Sequence, residues 1–373
     1  MVKTHDETGR ECNMEERAQK ELARLVAIRS ESGQEQAILA YLEARLEALG
    51  LSPVRQTVDG DRFNLIWTES PRPKLLLSAH VDTIPAFDHP DRYGPRLEGG
   101  RLYGRGSADA KAGIAAILLA LELTLEKGLK DPSFAVAFTV DEEREGLGSK
   151  VLPEVVRAEG AVVLEPTELM LCPAEAGSLE VRLTIEGAPA HGSAFEAGKN
   201  PILQAASLIE AFKRLSFVKG SHPLIGEGGF NIMEVKGGLP ALLVPERCEL
   251  FVDFRILPGQ DPEAAKAELL QLFTQEAVKA EFLDVSPPFE LHEDEPILQL
   301  MKQAFHKALG EAPRIGGMKS WTDAEHLYAS GIPSVVFGPG RLALAHTPWE
   351  HVELKEVVKA ARVLHHAITA NPP

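Results

Sequence analysis

The run Lys74–Val81, KLLLSAHV, ends by handing a histidine and then Asp82 to a loop, so an imidazole and a carboxylate stand two residues apart at the carboxyl end of an apolar strand-like segment. Open α/β sheets place their ligand sites at such ends. Positions i and i+2 of a strand face the same way, which lets Asp82 accept a hydrogen bond from one ring nitrogen of His80 and aim the other at a metal. Alone, the pair is a weak signal, because a surface or core histidine reads the same way. In Gly104-Arg105-Gly106-Ser107-Ala108-Asp109-Ala110-Lys111 a glycine-rich turn delivers Asp109 to the start of a helix. Neither phosphate-loop spacing is met, which removes a nucleotide cradle and leaves a helix N-cap as the ordinary reading. Asp141-Glu142-Glu143 follows the apolar run FAVAFTV. Three adjacent acids repel unless cations compensate them, the alternative being a solvated acidic loop. Glu165 follows a third apolar run, and His346 lies in Ala345-His346-Thr347-Pro348-Trp349-Glu350-His351. His80, Asp109, Glu143, Glu165 and His346 thus all fall on loops that follow strands or open helices. Imidazole and carboxylate without cysteine suit zinc, cobalt or manganese better than an iron–sulfur or structural cysteine site.

The elements that must position these residues follow α/β grammar. Leu22, Leu25, Val26, Ile28, Ile38, Leu39, Leu42, Leu46 and Leu49 recur at helical spacing with a break at 30–33, predicting two helices between Glu15 and Leu49. Strands are expected at 63–67 and 74–81, then a Pro/Gly/Asp-rich loop over 84–106 and a helix over 110–127. A strand at 134–140, a helix at 149–158 and a strand at 161–165 continue the alternation, with buried strands covered by helices. From about Glu175 the pattern turns amphipathic at Leu179, Val181, Leu183 and Ile185. A helix at 201–215, strands at 230–236 and 247–256, a helix at 262–277 and a strand at 280–285 then give the order of a small α+β domain. After Pro296 the first style returns, with helices to Leu309, at 322–330 and from Glu353, and a strand at 333–337. The expected architecture is a discontinuous α/β catalytic domain, 1–174 with 295–373, interrupted by an inserted α+β domain at 175–294.

Length agrees with two domains, since 373 residues exceed what one hydrophobic core usually fills. A formal net charge of −16, with no Lys/Arg block, disfavours nucleic acid and anionic lipid as partners. Cys12, Cys172 and Cys248 form no CxxC and no disulfide framework, which suits a reducing, cytoplasmic location. The N-terminus lacks the apolar core of a signal peptide and no stretch is apolar enough to span a membrane. Its first dozen residues are expected to fray, with Met1 and Met14 as alternative starts.

In the inserted region His191 stands in Pro189-Ala190-His191-Gly192-Ser193, where a polar surface histidine is the plain reading. Arg255 shares a strand face with Glu249, Phe251 and Asp253, and a salt bridge to Asp253 is its plain reading. The other histidines, among them His89, His222, His306, His326, His351, His365 and His366, show no partner pattern and are read as structural or surface residues.

The five segments HVD, GRGSADAK, DEE, EPT and the C-terminal AHTPWEH, in this order, resemble the M20 metallopeptidase family across nearly the whole chain. That family includes acetylornithine deacetylase, succinyl-diaminopimelate desuccinylase and glutamate carboxypeptidase. The resemblance implies a zinc-exopeptidase-like catalytic domain, a central mixed sheet flanked by helices, with a ferredoxin-like insert that dimerises. It implies two divalent ions per subunit, zinc with cobalt or manganese as alternatives, about 3.5–4 Å apart. Asp109 would bridge them, Glu143 and His346 completing one site and His80 and Glu165 the other. Glu142 would be the general base that activates a water shared by the metals, Asp82 the support of His80, and the Asp109–Ala110 peptide cis. His191 would reach a partner subunit's site to stabilise an oxyanion, and Arg255 would bind the substrate carboxylate. Asn231 and the loop containing Gly317 match segments that shape the pocket. The implied reaction is cleavage of the amide of a small N-acyl amino acid, most like acetylornithine deacetylase, by a homodimer. Desuccinylase, carboxypeptidase and dipeptidase activities are the alternatives, and a non-catalytic metal-binding assembly protein is the alternative of another class. One departure is Leu242, where relatives often carry Asn, which removes a polar substrate contact.

Overall fold

The computed structural model describes every residue except 1–4, 71, 88, 129–132, 274–277 and 371–373; the side chains of 5–12 and 90 also lie outside the described residues. The chain divides into two compact units, one of 1–173, 291–316 and 322–373, the other of 174–290 with 317–321.

The first unit opens with α1 (His5–Ala27) and α2 (Gln36–Ala48). Helix α1 starts ten residues before the expected Glu15, in a segment read as frayed. Its Ala18, Leu22, Leu25 and Val26 are buried, as are Ile38, Leu39, Leu42 and Leu46 of α2, the stripes that drive each helix onto a core. Next come β1 (Val54–Asp59), β2 (Arg62–Thr68), β3 (Leu75–His80) and a small hairpin of β4 (Arg96–Glu98) and β5 (Arg101–Tyr103) within the predicted loop. Helix α3 (Lys111–Glu126), β6 (Phe134–Thr139), α4 (Leu147–Val151), β7 (Ala161–Val163) and β8 (Leu171–Glu175) follow. Helix α4 is much shorter than the expected 149–158: Pro153, which offers no N–H, sits in a 3₁₀ turn over Leu152–Glu154.

The second unit holds β9 (Gly177–Glu186), α5 (Pro201–Phe212), a two-residue pair β10 (Ser221–His222) and β11 (Gly226–Glu227), β12 (Gly229–Gly237), β13 (Arg247–Ile256), α6 (Pro262–Gln271), β14 (Val278–Ser286) and β15 (Phe289–Glu290). Its antiparallel sheet runs β12-β13-β9-β14. Alternation puts Leu179, Val181, Leu183 and Ile185 of β9 and Cys248, Leu250, Val252, Phe254 and Ile256 of β13 into one core with Phe212 and Leu269 from the helices. The last predicted residues of α6 fall partly on 274–277, outside the described residues.

The chain then gives α7 (Pro296–Leu309), β16 (Ile315–Met318), α8 (Ala324–Ala329), β17 (Ser334–Val336), β18 (His351–Glu353) and α9 (Leu354–Ile368). Gly317, expected in the outer domain, groups with the second unit, where a Cβ on it would meet Ile225 Cγ1 at 2.3 Å. The main sheet of the first unit runs β1-β2-β6-β3-β7-β17-β8. Within it β6, β3, β7 and β17 are mutually parallel, while β1, β2 and β8 pair antiparallel at the flanks. The central strands are buried on both faces, which is why they read as unbroken apolar runs. Helices α1, α3, α7 and α9 pack on one another, and α4 packs on α8. No helix among the described residues is long and apolar enough to cross a membrane.

Candidate metal centre

The four parallel strands β6, β3, β7 and β17 end together, and each end leads into a site residue. His80 closes β3, Glu142 and Glu143 follow β6, Glu165 follows β7, and the Gly338–Gly340 turn after β17 leads to His346. Asp109 arrives separately, on the turn before α3. Close packing fixes two of these deliveries. A Cβ on Gly113 of α3 would stand 2.6 Å from Leu164 Cβ, and one on Gly338 would stand 2.6 Å from the Glu165 carbonyl oxygen. Glycine therefore lets α3 and β17 approach the Glu165 strand end.

Two ligand trios result, His80 with Asp109 and Glu165, and Asp109 with Glu143 and His346, each with one potential ligand atom per residue inside 4.8 Å. Asp109 belongs to both. His80 Nε2 lies 3.1 Å from Asp109 Oδ1 and 3.7 Å from Glu165 Oε1. His346 Nε2 lies 3.0 Å from Glu143 Oε1 and 3.4 Å from Asp109 Oδ2. The Asp109–Ala110 peptide is cis, and His346 has a left-handed φ of 63°. A third grouping, His80 with Glu142 and Glu143, brings Glu142 to the same centre.

Asp82 meets the ring of His80 through both its backbone and its side chain. The ring Nδ1 lies 3.0 Å from the Asp82 backbone oxygen and 3.6 Å from the Asp82 carboxylate. Asp82 stands past the end of β3, and its carboxylate has further partners besides His80. Oδ1 accepts from Glu142 N at 3.1 Å, and Oδ2 accepts from Glu143 N at 3.1 Å and from the Ser32 hydroxyl at 2.7 Å. Asp82 therefore positions the Glu142–Glu143 backbone. Asp141 does not share the site with its two neighbours: at φ 74° it turns to Arg62, whose Nη2 donates to Asp141 at 2.7 Å and to Glu35 at 2.5 Å.

The electrostatics are those of buried carboxylates crowded around two imidazoles. Burial raises Glu142 and Glu165 well above the ordinary carboxylate range against the pull of His80; Glu165, Glu143 and Asp323 add to it for Glu142, and Asp109, Asp323 and Glu143 for Glu165. Burial opposes charge on His80, yet Glu142, Glu165 and Asp109 push it well above its usual value. Burial likewise opposes charge on His346, but Glu143 and Asp109 raise it to about 9. Asp323, buried and held by the Thr139 hydroxyl at 2.7 Å, is pushed up to about 6, chiefly by burial. Glu165 Oε1 is buried with no hydrogen-bond partner among the described residues. An orphaned carboxylate oxygen in a nest of acids and imidazoles fits divalent cations, which would satisfy it and remove the repulsion.

Two residues that sequence reasoning missed hold Asp109. Glu350 is buried; its Oε2 accepts from Arg105 Nη1 at 2.6 Å and its Oε1 accepts from Ala108 N at 3.1 Å and Asp109 N at 3.3 Å. Arg105 also donates to the His346 carbonyl at 3.4 Å. One ion pair thus ties the Asp109 turn to the His346 loop. Both residues lie inside quoted motifs, but nothing in their spacing announces a pairing across 245 positions. Below the turn, Lys111 is buried with Nζ on the Ile28 carbonyl at 2.7 Å, and burial pushes its pKa down to about 7.

The other predicted residues lie in the second unit. Asn231 of β12 pairs directly with Asp253 of β13, two positions from Arg255 on the same face. Arg255 Nε donates to Asp253 at 3.1 Å, the plain reading of that pair, while its Nη1 is buried without an acceptor among the described residues. His191 bridges to Leu243, and Gly192 N donates to the Leu242 carbonyl at 3.0 Å. Leu242, the departure noted above, is 70% exposed.

Parallel strands that deliver histidines and carboxylates to one double ligand set, around a shared aspartate, define the class of metal-dependent hydrolases. Residues 76–370 match the model of Peptidase family M20/M25/M40, and the chain belongs to that family. It is 31% identical over 363 residues to the acetylornithine deacetylase of Myxococcus xanthus, covering 89% of this chain and 91% of that one. Its fold is similar to a tripeptidase of Staphylococcus aureus, at TM-score 0.78 and 24% identity over 95% of this chain and 97% of that one. It is also similar to a dinuclear metal binding peptidase of Bacillus subtilis, at TM-score 0.65 and 15% identity over 95% and 98% of the two chains. The protein is accordingly a hydrolase of the amidohydrolase and peptidase kind.

Proposed function

We propose that this enzyme cleaves the amide bond of a small N-acyl amino acid at a two-metal centre. The observation that carries the reading is the pair of ligand trios sharing Asp109. Asp109 would bridge the ions, with His80 and Glu165 on one side and Glu143 and His346 on the other. The Bacillus subtilis relative's dinuclear description supports the count of two. Zinc, cobalt and manganese all suit this donor set, with zinc the first choice. When bound, the two ions supply Lewis acidity and a lowered pKa for the attacking water.

The residues do the rest. Glu142, not needed as a ligand, takes the proton from the attacking water and passes it to the leaving amine, a role its raised pKa suits. Asp82 keeps Glu142 and Glu143 in register through their backbone N–H groups. Arg255, with its buried free Nη1, binds the substrate carboxylate, and Asn231 and Gly317 shape the pocket around it. His191 stabilises the oxyanion from a partner subunit, which makes the working form a homodimer. The Myxococcus xanthus relative's name supports an acetylated amino acid as substrate, and three cysteines without a disulfide framework support a cytoplasmic setting. Succinylated amines, dipeptides and carboxypeptidase substrates are the competing members of the same chemistry.

The test is amine release from a panel of N-acetyl, N-succinyl and dipeptide substrates, using protein stripped of metal and titrated with zinc, cobalt or manganese. Metal-restored cleavage of one panel member is expected. Silence across the panel, with two metals bound per chain, would favour a metal-binding assembly protein instead.

A further inference from the structure

Arg92 is a partly buried arginine that makes no close hydrogen bond to a carboxylate among the described residues. Arg17, Arg45, Arg62, Arg105 and Arg255 each donate a hydrogen bond to a carboxylate. The Arg92 side chain is only 21% exposed, its nearest carboxylate among the described residues is the solvated Asp91, a loose ion pair at 3.8 Å, and its Nε is buried with no hydrogen-bond partner among the described residues. A buried N–H without an acceptor is costly, and such groups in folded proteins are rare.

Its surroundings place it beside the metal centre. The Arg92 carbonyl accepts from Arg105 N at 2.7 Å, so its backbone is tied to the turn that delivers Asp109. Its guanidinium carbon lies 5.7 Å from the ring centroid of Trp349, inside cation–π range. Trp349 stands three residues after His346 and next to Glu350, the carboxylate that holds the Asp109 N–H. The indole is nevertheless 66% exposed, with its backbone N fixed on the Thr347 hydroxyl at 3.1 Å. A large exposed ring held in place beside an unsatisfied guanidinium has the form of a binding wall. It orients the planar fork and shields one side from water, which strengthens a bidentate contact to a planar anion.

We propose that Arg92 and Trp349 form an anion subsite that takes a second carboxylate of the substrate, one carried beyond the scissile amide. This rests on the reading of the Asp109 cluster as the hydrolytic centre. The carboxylate has two possible sources, the far end of a dicarboxylic acyl group or an acidic side chain on the amine side. The subsite would make the enzyme prefer an acidic substrate to its neutral counterpart.

Three substrates separate the sources: N-acetyl-L-alanine as the reference, N-succinyl-L-alanine with the anion on the acyl side, and N-acetyl-L-glutamate with it on the amine side. The expected result is that one acidic substrate is preferred, and that Arg92→Gln lowers the ratio of its kcat/KM to that of the reference by at least about tenfold, mainly through KM. Arg92→Lys, which keeps the charge and loses the fork, should fall between, and Trp349→Phe should retain more of the ratio than Trp349→Ala. Binding is read independently by titrating succinate, with acetate as control, into metal-free protein and following tryptophan fluorescence. Saturable quenching that disappears in Arg92→Gln and in Trp349→Phe is expected. The proposal is overturned if Arg92→Gln changes all three efficiencies by one factor, or if the response to succinate is absent in the wild type or survives in Arg92→Gln. A wild type that hydrolyses none of the three refutes the hydrolytic reading instead, and the titration alone then decides the subsite.

Discussion

Replacing Glu350 by Leu should both destabilise the first unit and loosen the metal centre. The carboxylate is 3% exposed and its partner Arg105 is 4% exposed, so the substitution leaves a buried guanidinium without its counter-ion. Breaking a buried pair from one side costs about 3–5 kcal/mol, and the Ala108 and Asp109 N–H groups, left without their acceptor, put the expectation at the upper end of that range. Glu350 itself is raised to about 7, burial and the Asp109 charge outweighing Arg105 and the backbone donors. The double replacement Arg105→Met with Glu350→Leu removes the charge mismatch and retains only the cost of the two orphaned donors, about 2–4 kcal/mol. The assay is urea unfolding of metal-free protein, followed at the buried Trp67 in the same unit. In parallel, metal affinity should fall about 10–100-fold as Asp109 loses its backbone anchor. A loss below about 1 kcal/mol in Glu350→Leu, or a double variant less stable than it by more than about 1 kcal/mol, would refute the reasoning.

Glu142→Gln should keep both metals, measured by elemental analysis, and lower kcat by about 10²–10⁴-fold; turnover within about tenfold of wild type would remove Glu142 from the mechanism. Gly113→Ala should destabilise by about 1–3 kcal/mol although alanine is the better helix former, because its Cβ meets Leu164 at 2.6 Å; an unchanged or raised thermal midpoint would contradict this. His365, buried against Thr124 and Lys127, is lowered from 6.5 to about 4 by burial and by Lys127, His366 and Lys307. Its folded-state pKa lies below the unfolded value, so the unfolded chain binds more protons between about pH 6.5 and 4 and stability is lost as pH falls through that window. The loss should be on the order of 2 kcal/mol after allowance for solvent near Lys127, and His365→Gln should flatten this part of the urea-midpoint profile against pH; an unaltered slope would exclude His365 as its source.

Residue type and short-range spacing determined a great deal here. The central strands declared themselves as unbroken apolar runs because both their faces are buried, and β9 and β13 declared themselves by alternation because only one face is. A ligand placed at the end of such a run is visible locally, so His80, Glu143 and Glu165 could be picked out one loop at a time. Short strands such as β4, β5 and β18 bury too few residues to leave a pattern, and they appeared only once their partners were present.

Only the tertiary structure decided which neighbours share a task. Asp141, Glu142 and Glu143 are alike in sequence, but a left-handed φ at Asp141 sends it to Arg62 while the other two face the cluster. Asp82 was expected to hold the ring of His80, and besides pairing with it Asp82 holds the backbone of two acids 60 and 61 positions away. The Arg105–Glu350 pair and the Arg92–Trp349 contact likewise join segments about 250 positions apart. Periodicity is set by backbone geometry over a few residues and survives in the sequence. The pairing of charges and rings is set by which loops the sheet brings to one end, and that is fixed only when the chain has folded.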